Sequence, residues 1–326
     1  MPITVVGSIA YDTVKTPFGE RQRMLGGAAV HFALAASFFD EVRVVGPVGE
    51  DFGDEQLAVM RTRKVDVSDV ERVSGGKTFF WHGEYGWDLN SRETLDTQLG
   101  VFEGFAPKLS ERSRSSDVLF LANIQPDLQL QVREQLPHAR FVALDSMNLW
   151  IDIARDSLVR AIEQCDCVIL NDAELRQLTG KPSLLAAARE VLSWSPSAET
   201  SGDGTGRLRG PSVVVAKQGE YGAALVTREG FFALPAYPLE SVVDPTGAGD
   251  TFAGGFVGYI AANPQEQISD ELLRRAMAYA TVLASFNVEE FGTERMQRLR
   301  SGEIAWRIEE LHAVTQFSGT PVQLRA

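Results

Sequence analysis

The alternation of apolar and helical segments predicts an α/β fold with three layers, in which helices cover both faces of a mostly parallel central sheet. Short runs that are apolar throughout are typical of strands buried on both faces, and parallel strands are joined by helices. The predicted strands are residues 3–6, 42–45, 118–121, 141–144, 167–170 and 213–216. The predicted helices between them include residues 28–39, 56–63, 128–135 and 186–193.

Two stretches interrupt this rhythm. Residues 11–23 and 74–105 are polar, aromatic and rich in threonine, with partial alternation around Phe79–Tyr85. They predict a small β-lid formed from two insertions, whereas residues 1–10, 24–73 and 106–326 form the α/β core. A lid over the site would exclude water from the reaction. Residues 195–210, which are rich in Ser, Gly and Thr without periodicity, are predicted to be a mobile surface loop of the core.

The composition excludes several classes of function. The chain has 326 residues and a net charge of −13, which argues against binding of nucleic acid because that requires lysine and arginine at phosphates. Its two cysteines, Cys165 and Cys167, lie in an apolar run without a second ligand pair, so we expect structural thiols and not a metal site. The chain begins with a predicted strand instead of a signal segment, and no apolar run approaches the roughly 20 residues of a membrane span. We therefore expect a cytoplasmic protein without a membrane partner.

The run from Asp244 to Phe256 carries the clearest chemical signal. It reads Asp-Pro-Thr-Gly-Ala-Gly-Asp-Thr-Phe-Ala-Gly-Gly-Phe, and its second half predicts a helix of small and apolar residues. Gly247, Ala248 and Gly249 would then lie at the helix N-terminus, where free N–H groups and the helix dipole favour an anion. Asp250 beside them is suited to remove a proton from an attacking hydroxyl. A base next to an anion hole predicts phosphoryl transfer to an alcohol.

This run resembles the signature of the ribokinase (PfkB) family of sugar and nucleoside kinases, and further motifs of that family follow in order over nearly the whole chain. The resemblance implies a ribokinase-like fold and an ATP- and Mg²⁺-dependent kinase. It implies that Asp12 grips sugar hydroxyls, for which a carboxylate is a suitable acceptor, although a turn-capping role is the alternative. Gly26 and Gly27 resemble the diglycine substrate motif, where glycine lets the backbone approach a sugar closely.

Further positions are assigned to the nucleotide and its metal ion. Asn171 and Glu174 resemble the motif that places magnesium and phosphates through ordered water, and Asn171 is also a candidate helix cap. Lys217 ends a predicted strand and is either a phosphate ligand or an ordinary surface lysine. The glycines of the following turn, Gly219 and Gly222, resemble the segment that holds the ribose and phosphates of the nucleotide.

The resemblance also implies a monovalent-cation site, for potassium, at Asp244 and Thr246, with Gly292 in the companion loop. Asn148 is not assigned through the resemblance. It follows a predicted strand at the sheet edge where α/β proteins bind ligands, and it is either a contact to substrate or phosphate or a turn residue.

Two departures from the family pattern bear on the acceptor. Ala10 and His31 stand where sugar kinases of the family often have asparagine, which makes the pocket less polar; His31 is either a substrate donor or a packing residue. Residues 79–87 of the predicted lid include five aromatic residues, Phe79, Phe80, Trp81, Tyr85 and Trp87, which either stack on a base or form the lid core or a dimer seam. We therefore expect a ribofuranosyl acceptor with nucleosides slightly favoured. The alternatives are a kinase of free sugars and a catalytically silent nucleotide or metabolite sensor.

Overall fold

The computed structural model describes residues 1–194 and 210–316, and within these ranges the larger sheet has nine strands. Their order in the sheet, given from one edge to the other, is β13 (Phe231–Leu234), β12 (Ala223–Thr227), β11 (Val213–Lys217), β10 (Cys167–Asn171), β9 (Phe141–Leu144), β8 (Val118–Leu121), β1 (Ile3–Val6), β4 (Val42–Val48) and β5 (Asp66–Arg72). The pairs from β5 to β11 are parallel, whereas β12 and β13 are antiparallel.

Helices cover both faces of this sheet because successive residues of each strand point to opposite sides. Phe120 belongs to the core cluster that includes side chains of α1, α9 and α10, whereas Leu119 and Leu121 belong to the cluster that includes α4, α6, α7 and α8. The helices of the described residues are α1 (Ala28–Ala36), α2 (Asp54–Thr62), α3 (Glu111–Arg114), α4 (Pro126–Gln135), α5 (Asn148–Ile153), α6 (Arg155–Ile162), α7 (Asp172–Thr179), α8 (Leu184–Leu192), α9 (Ala248–Ala262), α10 (Asp270–Asn287), α11 (Glu294–Arg298) and α12 (Ser301–Thr315). The predicted three-layer α/β fold is confirmed.

A second sheet, which we call the small sheet, has four strands in the order β3 (Gly19–Gly26), β2 (Ala10–Thr16), β6 (Phe79–Tyr85) and β7 (Arg92–Gln98). Strands β2 and β6 are parallel, and the two outer pairs are antiparallel. The small sheet packs on the larger unit through a separate apolar cluster of Val14, Tyr85 and Phe291. Strand β7 is exposed along its whole length.

Some elements differ from what the sequence predicts. Strands β5, β12 and β13 are not among the predicted strands, because β5 and β13 include exposed residues and β12 follows a glycine turn. Residues 195–209, which include most of the predicted mobile loop, lie outside the described residues. Cys165 and Cys167 are buried free thiols. Within residues 1–194 and 210–316, no helix combines the length and apolar character needed to cross a bilayer.

Candidate active site

The carboxyl ends of neighbouring parallel strands bring several polar side chains to one edge of the larger sheet. Asp145 directly follows β9, Asn171 ends β10, and Lys217 ends β11. Asn171 and Lys217 are paired in the register of β10 and β11. Ligands of open α/β sheets bind outside the carboxyl ends of the strands, so this edge is the expected place for a site.

Gly247, Ala248 and Gly249, the predicted anion hole, lie at the N-terminus of α9 at this edge. The Ala248 N–H donates to the Pro245 carbonyl oxygen at 3.2 Å. Gly247 is the N-cap with a φ of 74°, in the left-handed region, and no side chain caps the helix. Within the described residues, the N–H groups of Gly247 and Gly249 have no hydrogen-bond partner. A Cβ atom at Gly247 would lie 2.3 Å from the His31 ring, so glycine is required there by space as well as by conformation. The residues therefore fit a phosphate group, for which such helix ends provide donors.

Asp250 lies in the first turn of α9 and is half-buried. Burial and the negative charges of Asp145 and Glu174 raise its pKa to about 7, against the opposing effect of Lys217. A carboxylate whose pKa is near the working pH is well suited to take a proton from a hydroxyl group. The arrangement of Asp250 beside the anion hole can therefore support transfer of a phosphoryl group to an alcohol.

Lys217 forms an ion pair with Asp145, with 2.9 Å between Nζ and Oδ2. Burial disfavours the charged form of Lys217, but the charges of Asp145, Glu174 and Asp250 outweigh this and raise its pKa. A Cβ atom at Gly249 would lie only 3.0 Å from Nζ, so the ammonium group lies beside the anion hole. Asp145 was not predicted as a site residue, although it lies in the same run as Asn148.

Glu174 and Asn171 cap α7 reciprocally. The Asn171 N–H donates to Glu174 Oε2 at 2.8 Å, and the Glu174 N–H donates to Asn171 Oδ1 at 2.7 Å. Burial raises the pKa of Glu174 to about 7, with Lys217 lowering and Asp145 raising it. Arg92, on strand β7 of the small sheet, also lowers this pKa and was not predicted as a site residue.

Asp12 and the diglycine segment form one unit next to Asp250. Burial raises the pKa of Asp12 to about 7, with contributions from Asp244 and Asp250, while a hydrogen bond from the Gly27 N–H lowers it. A Cβ atom at Gly26 would lie 1.9 Å from Asp12 Oδ2, so a larger residue would displace this carboxyl group. The small sheet thus brings Asp12 close enough to Asp250 for their charges to interact.

His31 is buried and belongs to a network behind the anion hole. Asn287 Nδ2 donates to the Thr246 carbonyl oxygen at 2.8 Å, and Asn287 Oδ1 accepts from the Thr251 hydroxyl at 3.0 Å. The same Oδ1 lies 3.1 Å from His31 Nδ1, which therefore carries the proton. Burial lowers the pKa of His31 to about 4, so the ring is neutral. Asn287 was not predicted as a site residue, since nothing marks it among the polar residues of α10.

The carboxylate of Asp244 connects two loops through hydrogen bonds. Its Oδ1 accepts from the Thr246 N–H at 2.9 Å, and its Oδ2 accepts from the Gly292 N–H at 2.8 Å. The residue is fully buried, and burial raises its pKa. The conformation of the loop before the anion hole therefore depends on the loop that contains Gly292.

The family assignment follows from comparison with known proteins. The profile of the pfkB family carbohydrate kinases matches residues 3–298 of the chain. A cytidine kinase of Thermococcus kodakarensis is 31% identical over 283 residues, which cover 85% of this chain and 95% of that protein. This chain belongs to the PfkB family of carbohydrate kinases. The predicted family and, with it, the kinase class are confirmed.

Solved structures show the same fold as this PfkB chain. A nucleoside kinase of Burkholderia thailandensis, solved with inosine, has a TM-score of 0.73 and 20% identity and covers 95% of this chain and 99% of its own. A protein named ribokinase II from E. coli, solved with ATP and Mg²⁺, has a TM-score of 0.72 and 18% identity, with coverage of 94% and 99%. At these identities the likeness establishes the architecture.

Two further predicted site regions are the turn that contains Gly219 and Gly222 and the residue Asn148. Gly219 and Gly222 have φ angles of 56° and 101° in the turn after β11, where Asn90 of the small sheet donates to Glu220 at 2.9 Å. Asn148 begins α5 and is exposed, and no hydrogen bond or ion pair of the described residues joins it to the carboxylate cluster. Its predicted ligand role therefore has no contact that supports it.

Most aromatic residues of the small sheet are engaged in packing. The rings of Phe79 and Phe102 have centroids 5.6 Å apart, and Arg92 lies 5.5 Å from the Trp81 centroid. Phe80 packs against the main core, and Tyr85 is buried. Trp87 is the exception among these five rings, with 88% of its surface exposed.

Proposed function

We propose that this PfkB chain transfers the γ-phosphoryl group of ATP to a primary hydroxyl of a ribofuranosyl substrate, with nucleosides preferred to free sugars. The observation that carries the proposal is the position of Asp250, whose pKa is raised to about 7, in the first turn of α9, where the N–H groups of Gly247 and Gly249 have no partner within the described residues. A base of this pKa and a set of backbone donors meet the two needs of phosphoryl transfer to an alcohol.

The other residues have roles that their surroundings support. Asp250 accepts the proton of the attacking hydroxyl, and the N–H groups of the anion hole stabilise charge on the transferred group. Lys217, next to Gly249, adds a positive charge at the same point. Asp12 accepts hydrogen bonds from two vicinal hydroxyls and so orients the acceptor, with the backbone of Gly26 and Gly27 beside it. Gly219, Gly222 and Thr246 flank the nucleotide.

The residues present fit a magnesium ion. Asp145 and Glu174 offer hard carboxylate oxygens whose charges interact, and Mg²⁺ prefers such ligands while it keeps several waters. Asn171 fixes Glu174 through the capping box, so Glu174 would hold the ion through water. When bound, the ion neutralises negative charge on the phosphates. A cation would also offset the negative charge of the cluster, in which Lys217 faces Asp145, Glu174 and Asp250 and Arg92 acts on Glu174.

Several observations support a nucleoside as the acceptor. The cytidine kinase of T. kodakarensis is similar to this chain in sequence, and the inosine-bound nucleoside kinase has the same fold. Ala10, two residues before Asp12, has no amide group that could bind the polar atoms of a free sugar. The packing of Phe79 on Phe102 and of Phe80 on the main core favours the alternative of a free-sugar kinase, because both rings are engaged within the protein.

The proposal includes a potassium ion and a homodimer. A potassium ion would lie between the loops of Asp244 and Gly292, which supplies a reason for joining them through a buried carboxylate. A homodimer would use the small sheet, whose edge strand β7 is exposed and carries Leu95 at 46% exposure. Potassium titration of activity and molar-mass measurement by light scattering test these features separately. The need for ATP supports a cytoplasmic location.

The deciding experiment is a panel of nucleosides and free sugars with ATP and Mg²⁺, in which product monophosphates are identified by mass spectrometry. We expect at least one ribonucleoside to exceed ribose and fructose in kcat/KM. A free sugar with a higher kcat/KM than every nucleoside would overturn the nucleoside preference, whereas the assignment as a kinase would stand. Nucleotide binding without phosphorylation of any acceptor in the panel would support the sensor alternative.

A further inference from the structure

All polar groups of Thr246, the residue before the anion hole, are engaged by different parts of the structure. Its N–H donates to Asp244 Oδ1 at 2.9 Å, and its carbonyl oxygen accepts from Asn287 Nδ2 at 2.8 Å. Its hydroxyl donates to the Tyr85 hydroxyl oxygen at 3.2 Å. The first two partners belong to the core, whereas Tyr85 is the last residue of β6 in the small sheet. The conformation that presents the Gly247 N–H is therefore held partly from the small sheet.

The contact of Tyr85 is embedded in packing between the small sheet and the core. Tyr85 is 9% exposed and clusters with Val14 of β2 and Phe291. Phe291 precedes Gly292, whose N–H donates to Asp244, and Asp244 in turn binds the Thr246 N–H. The small sheet thus reaches Thr246 by two routes, directly through Tyr85 and indirectly through Phe291 and Asp244.

We propose that Tyr85 is a positioning residue that couples the placement of the small sheet to the geometry of the anion hole. In this role Tyr85 acts through its hydrogen bond with Thr246 and not through a contact of its own with substrate or phosphate. Donors of an anion hole stabilise a transition state only when they are held in place beforehand, so loss of this hydrogen bond weakens the orientation of the Gly247 and Gly249 N–H groups. A small sheet that bears Asp12 on β2 and Tyr85 on β6 would then place the acceptor and complete the anion hole in one movement. This last point rests on the proposed function.

The test uses Tyr85→Phe in the full chain, since this change keeps the ring and its packing and removes the hydroxyl. We expect kcat to fall about 3- to 10-fold, which is the range of a single hydrogen bond, with KM for ATP changed less than twofold. In a Thr246→Val background the same change should have no further effect, whereas in a Thr246→Ser background it should keep its full effect. Tyr237→Phe, which removes a hydroxyl bound to Glu310 far along the chain, is the matched control and should leave kcat unchanged.

A second measurement does not depend on turnover. Amide hydrogen exchange of residues 246–250 should be faster in Tyr85→Phe than in the wild type or in Tyr237→Phe, with the rest of α9 unchanged. Unchanged exchange at these residues would overturn the proposal, as would additive effects of the Tyr85 and Thr246→Val changes on kcat. If the wild type phosphorylates no acceptor, the proposed function fails, and the exchange measurement still decides whether Tyr85 holds the anion hole.

Discussion

Lys217 and Asp145 form an ion pair whose 2.9 Å contact joins the carboxyl ends of β11 and β9 beside the anion hole. The pair is held on the Asp145 side by the Ser146 N–H, which donates to Oδ1 at 2.8 Å. Lys217 also lowers the pKa values of Glu174 and Asp250. Lys217 thus favours the ionised forms of Glu174 and Asp250, and its removal should raise the pKa values of both.

We expect Lys217→Met to shift the acid limb of the kcat/KM profile to higher pH by about one unit. The reaction needs ionised Asp250, so the rate falls as pH drops through the pKa of that residue, and loss of the positive charge raises this pKa further. The measurement is a pH profile of kcat/KM between pH 5.5 and 9. Lys108→Met changes an exposed lysine and serves as the control. An acid limb that stays in place would show that Lys217 does not tune Asp250.

Glu174 combines a structural and a proposed metal-related role, and two substitutions separate them. Glu174→Gln keeps an oxygen that accepts from the Asn171 N–H, so the cap of α7 should persist while the dependence on Mg²⁺ moves to higher concentration. Glu174→Ala should show the same shift and also lose about 1 kcal/mol of unfolding free energy. Magnesium titrations of activity and urea denaturation measure the two effects. A magnesium dependence identical in all three proteins would remove Glu174 from the metal site.

The sequence predicted the parts of the fold that depend on local pattern. Strands that are apolar throughout, such as β8 and β9, were predicted with the observed bounds, and the glycine-rich start of α9 was placed correctly. Strand β5 was not predicted, because its residues are charged or half-exposed and show no apolar run. It is a strand because it pairs with β4 at the edge of the sheet. Pairing between distant segments is not encoded in local periodicity.

The same limit applies to the site. Asp250 and Gly247 lie in one short motif and were predicted together. Asn287 and Tyr85 contact Thr246 from 41 and 161 positions away along the chain, so no spacing in the sequence indicates their roles. Tyr85 was interpreted as a ring that either stacks on a base or belongs to the lid core or a dimer seam, and its hydroxyl contact with Thr246 depends on the packing of the small sheet against the core.

Asp12 is expected to determine acceptor binding. Asp12→Asn should raise KM for the acceptor with little change in KM for ATP, because the uncharged amide binds vicinal hydroxyls less strongly. In the wild type, KM for the acceptor should rise as pH falls below 7, since the pKa of Asp12 is raised to about 7 and the ionised form is the stronger acceptor. Steady-state kinetics with a ribonucleoside and its 2′-deoxy analogue check this. Equal kcat/KM values of the wild type for both compounds would show that Asp12 does not bind that pair of hydroxyls.

Asp250 should be required for catalysis and costly for stability, and a single substitution tests both. Asp250→Asn should lower kcat by about 10²- to 10⁴-fold with little change in ATP affinity, because a placed base contributes this much. Its native pKa of about 7 lies above the ordinary value of 3.8, so between these pH values the native state keeps a proton that the unfolded chain has released. The contribution of this proton to the free energy of unfolding is therefore complete below about pH 4 and is lost as the pH rises toward 7.

Asp250→Asn removes this penalty, and the variant should be more stable than the wild type by about 1–3 kcal/mol at pH 8 and nearly equal to it at pH 4. Denaturant unfolding at the two pH values measures the difference, with the exposed Asp156→Asn as the control. A variant that is inactive and also more stable has lost a chemical group and not its fold. Retention of more than about a tenth of the wild-type rate would remove Asp250 as the base. A stability gain that is the same at pH 4 and pH 8 would show that ionisation of Asp250 is not its source.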